Sequence, residues 1–96
     1  MNESDQVLAG FHPTASRLLF RQLQAFDSAT ASIDRASDEP RYRGLCAQFV
    51  RTLREELQAE ARRFIEKNQE RPQIGAIDLG LRHLVEDYVH QFVQRC

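Results

Sequence analysis

The sequence predicts an all-α protein, namely an up-down-up antiparallel three-helix bundle with a long second helix and a short N-terminal helical or extended segment. Apolar residues recur at alternating steps of three and four in three stretches, which is the spacing of one helix face. Four glycines and three prolines in 96 residues leave little turn material for a many-stranded β fold. This length suits a single helical domain, residues 1–96.

The first predicted helix spans residues 14–36 and follows an N-terminal segment, residues 1–13. Pro13 indicates the boundary, and Thr14 or Ser16 can cap the helix. The polar link at residues 37–40 then ends this helix and supplies an N-cap and a first-turn proline for the next one. The apolar stripe of the first helix consists of Leu19, Leu23, Phe26, Thr30 and Ile33.

The second predicted helix spans residues 41–69 and would be about 43 Å long. Its outer face alternates arginine and glutamate at helical spacing, which indicates solvated ion pairs. Gly44 weakens its first turn. The apolar stripe consists of Tyr42, Leu45, Cys46, Phe49, Val50, Leu53, Leu57, Ala61 and Phe64.

The third predicted helix spans residues 76–94, after a connector in which Pro72 ends the second helix. Val85, Val89 and Val93 form a second ridge beside its main stripe, so the apolar face is wider than packing against two helices needs. The main stripe consists of Ile77, Leu81, Leu84, Tyr88 and Phe92.

Short connectors favour antiparallel packing of neighbouring helices. In that arrangement the first helix does not reach the C-terminal end of the second helix, so the apolar residues there need another covering segment. We expect the stretch Val7–Phe11, or a partner chain, to cover Phe64 and Ile65. The predicted core comprises Leu19, Leu23, Phe26, Ile33, Cys46, Phe49, Leu53, Leu57, Phe64, Leu81, Leu84, Tyr88 and Phe92.

Charge and composition exclude several classes of protein. The formal net charge is −1 and the pI is near 6.3, so no global basic field indicates nucleic acid or an anionic membrane. The start MNESDQ does not resemble a signal peptide, and no apolar run approaches the roughly 18–20 residues of a membrane span. Two cysteines fit a reducing compartment. We therefore expect a cytoplasmic protein that does not enter the membrane.

The two cysteines have two interpretations. Cys46 lies in the apolar stripe of the second helix, where a small buried thiol is the expected role. The alternative is a redox-sensitive bridge, because antiparallel pairing brings Cys96 to the level of Phe49, one turn from Cys46.

One cluster has the spacing of metal ligands. His83, Glu86, Asp87 and His90 lie three, four and seven residues apart on one side of the third helix. That side is opposite the apolar stripe and faces water, so a solvated polar face is the expected role. We predict no metal and no cofactor, and a metal-binding protein or enzyme that uses this cluster stays an alternative.

Nucleophilic catalysis and nucleic-acid binding both lack a motif. No Gly-rich turn or strand-turn-helix elbow accompanies the candidate serines and histidines, so we do not expect an enzyme. An alternative function is a nucleic-acid-associated regulator that uses the arginine-rich second helix, although glutamates interrupt that surface. The residues concerned are Ser16, Ser28, Ser32, Ser37, His12, His83 and His90 for catalysis, and Arg41, Arg43, Arg51, Arg54, Arg62 and Arg63 for nucleic acid.

The remaining function is a non-catalytic helical module for protein–protein interaction, an adaptor, regulator or chaperone-like protein by analogy with small bacterial bundles. Its protein partner is not identified by the sequence. Excess apolar surface predicts a two-fold homodimer. The competing arrangement has the N-terminal segment fold over the third helix and hide the valine ridge. The predicted interface residues are Phe64, Ile65, Val85, Val89 and Val93.

Overall fold

The computed structural model describes residues 3–96, without the Glu3 side chain, and contains three α-helices. These are α1 (Glu3–Thr30), α2 (Glu39–Lys67) and α3 (Ile74–Val93). Each helix packs against the other two, and residues 3–96 include no strand. The predicted three-helix bundle is therefore confirmed. It forms a rod of 53 × 18 × 18 Å, so its surface consists mainly of helix faces and the grooves between them.

Ring contacts show that α1 and α2 are antiparallel. Phe11 packs edge-to-face on Phe64, with ring centroids 5.3 Å apart, and Phe26 packs in the same way on Phe49 at 5.6 Å. Residue numbers thus rise along α1 while they fall along α2. The Phe11 contact also confirms the expectation that the stretch Val7–Phe11 covers Phe64.

The boundary predicted at Pro13 is wrong, because α1 is one helix that begins at Glu3 and contains this proline. Proline removes one backbone hydrogen bond, and its cost inside a helix is about 3 kcal/mol. Phe11 and Ala15, on either side of it, are both fully buried on one face of α1. Burial of a phenylalanine side chain contributes roughly 1.5–3 kcal/mol. Packing on both sides of Pro13 therefore offsets the lost bond. Residues 1 and 2 of the predicted N-terminal segment lie outside the described chain.

The predicted end of the first helix at residue 36 is also wrong, because α1 ends at Thr30. Thr30 Oγ1 donates to the carbonyl oxygen of Phe26 at 2.8 Å. In the loop that follows, Asp34 Oδ1 accepts hydrogen bonds from the backbone N–H groups of Ala36 and Ser37. Short polar side chains thus bind the local backbone, and this competes with continuation of the helix.

The other two helices are shifted by about two residues from the predicted ranges, 41–69 and 76–94. Helix α2 begins at Glu39, because Pro40 lies in its first turn, where no hydrogen-bond donor is needed. It ends at Lys67, and Asn68 Nδ2 then donates to the carbonyl oxygen of Phe64 at 2.7 Å. Helix α3 spans Ile74–Val93.

The core follows the predicted stripes, with additions from α1 and α3. Of the predicted core residues, six are only half-buried, and one of these, Ile33, lies in the loop after α1. These six are Leu23, Ile33, Cys46, Phe49, Phe64 and Leu84. The buried hydrophobic residues are Phe11, Ala15, Leu19, Phe26, Leu53, Leu57, Ala61, Ile77, Leu81, Val85, Tyr88, Val89 and Phe92. Within the described chain, no helix combines the length and apolarity that crossing a membrane requires.

Candidate functional site

Two of the five predicted interface residues are buried inside the monomer. Val85 and Val89 are each 3% exposed and belong to the core, whereas Val93 is 44% exposed. Phe64 and Ile65 are half-buried against that core. Two of the three ridge valines therefore belong to the core of the monomer, and the expectation that they form an exposed ridge is wrong.

The N-terminal turns of α1 run along α3, as in the competing arrangement. A Cβ placed on Gly80 would lie 2.7 Å from Leu8 Cδ1, so the two helices approach closely at this glycine. The backbone N–H of Ser4 donates to Gln73 Oε1 at 3.1 Å. The apolar face of α3 is wide because helices flank it on both sides over most of its length.

A groove between α2 and α3 contains two of the predicted interface residues, Ile65 and Val85. Its volume is about 390 Å³, and its apolar lining also includes Ala61 and Leu81. Leu81 and Val85 are buried, so they form the floor, while Ile65 is half-buried and more accessible. The polar residues around this apolar floor are Gln58, Arg62, Asp78, Arg82 and Glu86.

Charges of both signs border the α2/α3 groove. Arg82 Nε lies 3.1 Å from Asp78 Oδ1, and Glu86 accepts two hydrogen bonds from Arg54, at 3.0 and 3.1 Å. Arg62 has no ion-pair partner in the part of the chain that the structure describes. Exposed pairs of this kind contribute about 0–1 kcal/mol each, so a second protein can exchange partners with them at little cost.

Three large apolar side chains are exposed: Phe20 (61%), Leu79 (57%) and Val93 (44%). Leu79 precedes Arg82 by three residues and Glu86 by seven, so the three share one side of α3. Leu79 therefore lies beside the α2/α3 groove. Phe20 lies on α1, which does not line this groove.

The histidine cluster of α3 shows no metal-binding geometry. His83, Glu86, Asp87 and His90 are all exposed. Glu86 binds Arg54, and His90 Nε2 lies 3.1 Å from Gln94 Nε2. Among residues 3–96, no group of three or more histidine, cysteine or acidic side chains is placed to hold a metal ion.

The candidate catalytic residues His12 and Ser16 do come together, but around a tyrosine. Tyr88 Oη lies 2.6 Å from His12 Nδ1 and 3.3 Å from Ser16 Oγ. A Ser–His–acid triad needs a carboxylate to orient the histidine, and a phenol takes that place here. Sequence reasoning missed this cluster because it placed residues 1–13 outside the first helix. His12 and Ser16 are four residues apart, a spacing that places two side chains on one face of a helix and that could have indicated this cluster.

The arginines of α2 are mostly paired with carboxylates. Arg43 Nη2 lies 2.8 Å from Glu39 Oε1, and Arg63 Nη1 lies 2.8 Å from Glu60 Oε1. Arg54 binds Glu86 of α3. These acids neutralise the surface that would have to contact phosphates, and phosphate contacts dominate nucleic-acid affinity.

Cys46 is not a free buried thiol, because it forms a disulfide with Cys96. The two Cα atoms are 6.1 Å apart and the residues are separated by 50 positions. Of the two interpretations of Cys46, the bridge is therefore the one that the structure contains. A pocket of about 380 Å³ beside the bond is lined by both cysteines and by Arg35, Glu39, Tyr42, Arg43 and Ala47.

No family model, no curated protein and no solved structure matches this chain significantly. Among residues 3–96, the α2/α3 groove and the pocket beside the disulfide each combine accessible chemistry with a defined cavity.

Proposed function

We propose that this protein is a non-catalytic helical interaction module, and that it associates with a second copy of itself through the α2/α3 groove. The observation that carries the proposal is the apolar floor of the groove next to the exposed Leu79. An apolar surface with a polar rim is typical of protein–protein interaction sites.

Charge complementarity favours a second copy as the occupant. The groove is bordered by two arginines, Arg62 and Arg82, and by two carboxylates, Asp78 and Glu86. A two-fold axis places a surface against itself, so this mixed border can set each arginine against a carboxylate of the other copy. A strongly acidic or strongly basic partner would instead face like charges.

Leu79 supplies the apolar contact. In a two-fold dimer, Leu79 of each copy can enter the groove of the other over Ile65. Burying two leucine side chains favours association by roughly 3–6 kcal/mol, which exceeds what the exposed ion pairs add. Association also costs translational and rotational freedom. We therefore expect a weak dimer with a dissociation constant of about 1 mM.

Sedimentation velocity over micromolar to millimolar concentrations tests the proposal. The mass should rise from 11.1 kDa toward twice that value. Leu79→Glu should stay at 11.1 kDa with unchanged helicity, because Leu79 is 57% exposed in the monomer. Phe20→Glu is the matched control, because Phe20 is equally exposed but lies away from the groove, and it should still dimerise. Val89→Glu is unsuitable, because Val89 is buried and the variant would destabilise the monomer.

Two outcomes would contradict the proposal. One is a mass of 11.1 kDa at every concentration, which would exclude self-association. The other is a dimer that survives Leu79→Glu and is lost on Phe20→Glu, which would place the interface on α1.

A further inference from the structure

The Cys46–Cys96 disulfide lies at the other end of the bundle from Leu79. Cys46 precedes Ile65 of the α2/α3 groove by nineteen residues, about 28 Å along α2. Both cysteines are half-buried, so the bond borders solvent. The adjoining pocket, at about 380 Å³, falls in the size range of small-molecule sites, about 300–1,000 Å³.

Two guanidinium groups from different elements line this pocket. Arg43 on α2 is paired with Glu39, whereas Arg35 comes from the loop between α1 and α2. The guanidinium carbon of Arg35 lies 5.0 Å from the centre of the Tyr42 ring. Glu39 is the single acidic side chain in the lining, so the side chains of the pocket carry one positive charge in excess.

Nearby carboxylates are already engaged, which leaves Arg35 available. Asp34 accepts hydrogen bonds from the backbone of Ala36 and Ser37, and Asp38 lies 3.9 Å from Arg41. Arg35 has no carboxylate partner within residues 3–96. A planar guanidinium held against a ring is suited to bind a carboxylate through two hydrogen bonds.

We propose that this pocket binds a low-molecular-weight thiol that carries a carboxylate, and that the bound thiol opens the disulfide. Arg35 binds the carboxylate, while the thiol sulfur reaches Cys96. The arrangement makes the disulfide a site of thiol–disulfide exchange in addition to a link between α2 and the end of α3.

The exchange proceeds in two balanced steps. The thiolate of the small molecule attacks Cys96 Sγ and forms a mixed disulfide, the bond between the protein sulfurs breaks, and Cys46 leaves with the electron pair as a thiolate. A second small thiolate then attacks the sulfur of the bound small molecule and releases Cys96 as a thiolate. Two small thiols are oxidised to one disulfide, and the protein disulfide is reduced by two electrons.

The positions of the two cysteines favour attack at Cys96. Cys46 lies within α2, where the helix fixes its backbone. Cys96 lies just beyond Val93, the last residue of α3, and its backbone N–H donates to the Val93 carbonyl at 3.0 Å. A residue beyond the end of a helix can shift to accommodate a mixed disulfide more easily than one held within α2.

The test compares rates of reduction of the oxidised chain by three small thiols of different charge, namely mercaptopropionate, mercaptoethanol and cysteamine. Rates are corrected for the thiolate fraction and intrinsic reactivity of each thiol, measured on a small reference disulfide. We expect mercaptopropionate to react about fivefold faster than mercaptoethanol, as one exposed ion pair predicts. Arg35→Gln should abolish this preference. Arg51→Gln is the matched control, because Arg51 is exposed on α2 outside the pocket, and it should retain the preference.

Peptide mapping of the trapped mixed disulfide should place the small thiol on Cys96. Equal corrected rates for the three thiols would overturn the proposal, as would a preference that survives Arg35→Gln. A mixed disulfide found on Cys46 would overturn the assigned direction of attack. These results do not depend on Leu79, so the proposed dimer can fail separately.

Discussion

His12 Nδ1 lies 2.6 Å from Tyr88 Oη, a hydrogen bond that joins the N-terminal half of α1 to α3. Tyr88 is 7% exposed, so its hydroxyl group needs a partner within the protein. Ser16 Oγ approaches the same oxygen at 3.3 Å. This polar contact lies among apolar ones, and it specifies how α1 is aligned with α3.

Tyr88→Phe should lower the free energy of unfolding by about 0.5–1.5 kcal/mol, the usual contribution of one hydrogen bond. Urea denaturation measures the loss. His12→Ala in the Tyr88→Phe background should cost less than His12→Ala alone, because the shared bond is already absent. Fully additive losses would show that the contact does not contribute to stability.

Leu53→Ala should lower the free energy of unfolding by about 2–4 kcal/mol, because Leu53 is fully buried on α2 and the change leaves a cavity. Leu79→Ala removes the same atoms from an exposed site, and its effect should stay within about 0.5 kcal/mol. Chemical denaturation at a concentration where the chain is monomeric compares the two variants. Similar losses for both would contradict the described core.

Gly44→Ala and Gly80→Ala should differ, although both glycines lie inside helices. Nothing lies within 4 Å of a Cβ at Gly44, so alanine should stabilise α2 by about 0.5–1 kcal/mol through its higher helix propensity. A Cβ at Gly80 would lie 2.7 Å and 2.8 Å from the two Leu8 methyl groups. Leu8 must then move, and the stabilisation expected from the helix propensity of alanine should be lost.

Thermal unfolding of Gly44→Ala, Gly80→Ala and Gly80→Ala/Leu8→Ala separates the two effects. Removing the Leu8 methyl groups should make Gly80→Ala less harmful than it is in the wild-type background. Equal stabilisation by Gly44→Ala and Gly80→Ala would contradict the close approach of α1 to α3.

Loss of the Cys46–Cys96 bond should destabilise the protein without changing the fold. The bond joins residues 50 positions apart, and a loop of that size corresponds to about 4 kcal/mol of chain entropy in the unfolded state. Cys46→Ser/Cys96→Ser should therefore unfold at lower urea concentration while retaining its helicity. Unchanged stability relative to the oxidised chain would contradict the presence of the bond.

Asp34 should make stability depend on pH in the acid range. Hydrogen bonds from the backbone of Ala36, and then from the backbone and side chain of Ser37, lower the pKa of its carboxyl group from the usual 3.8. Because the folded-state pKa is the lower one, the stabilisation is fully present above pH 3.8 and is lost as the pH falls through the folded-state pKa. Asp34→Asn should thus differ from wild type most near neutral pH, as thermal melts from neutral to acid pH can show.

Local patterns predicted most of the helices and much of the core. The spacing of Leu53 and Leu57, and of Leu81 and Phe92, identifies faces that the structure buries. Such a pattern is sufficient to identify the buried face of a helix, because helix periodicity is a property of neighbouring residues. The helix ends were less accurate: Thr30 ends α1 through a side-chain hydrogen bond to its own helix, and several nearby residues offer the same chemistry.

The groove and the disulfide pocket depend on residues that are distant in sequence. Ile65 and Val85 were predicted for an interface, but their place in one groove requires the register between α2 and α3. Arg35 was not singled out at all, because its role follows from the loop that brings it over Tyr42. A lone arginine in a polar loop has no distinguishing pattern in the sequence.

Local spacing and turn residues were sufficient to predict a helical bundle with three apolar stripes, since both are properties of neighbouring residues. Three further points depended on how the helices pack against one another. Pro13 stays inside α1 because Phe11 and Ala15 are buried on both sides of it. Val85 and Val89 are core residues because helices flank α3 on both sides. Cys46 bonds to Cys96 because the antiparallel register brings residues 50 positions apart to one level, and register is set by the packing of whole helices.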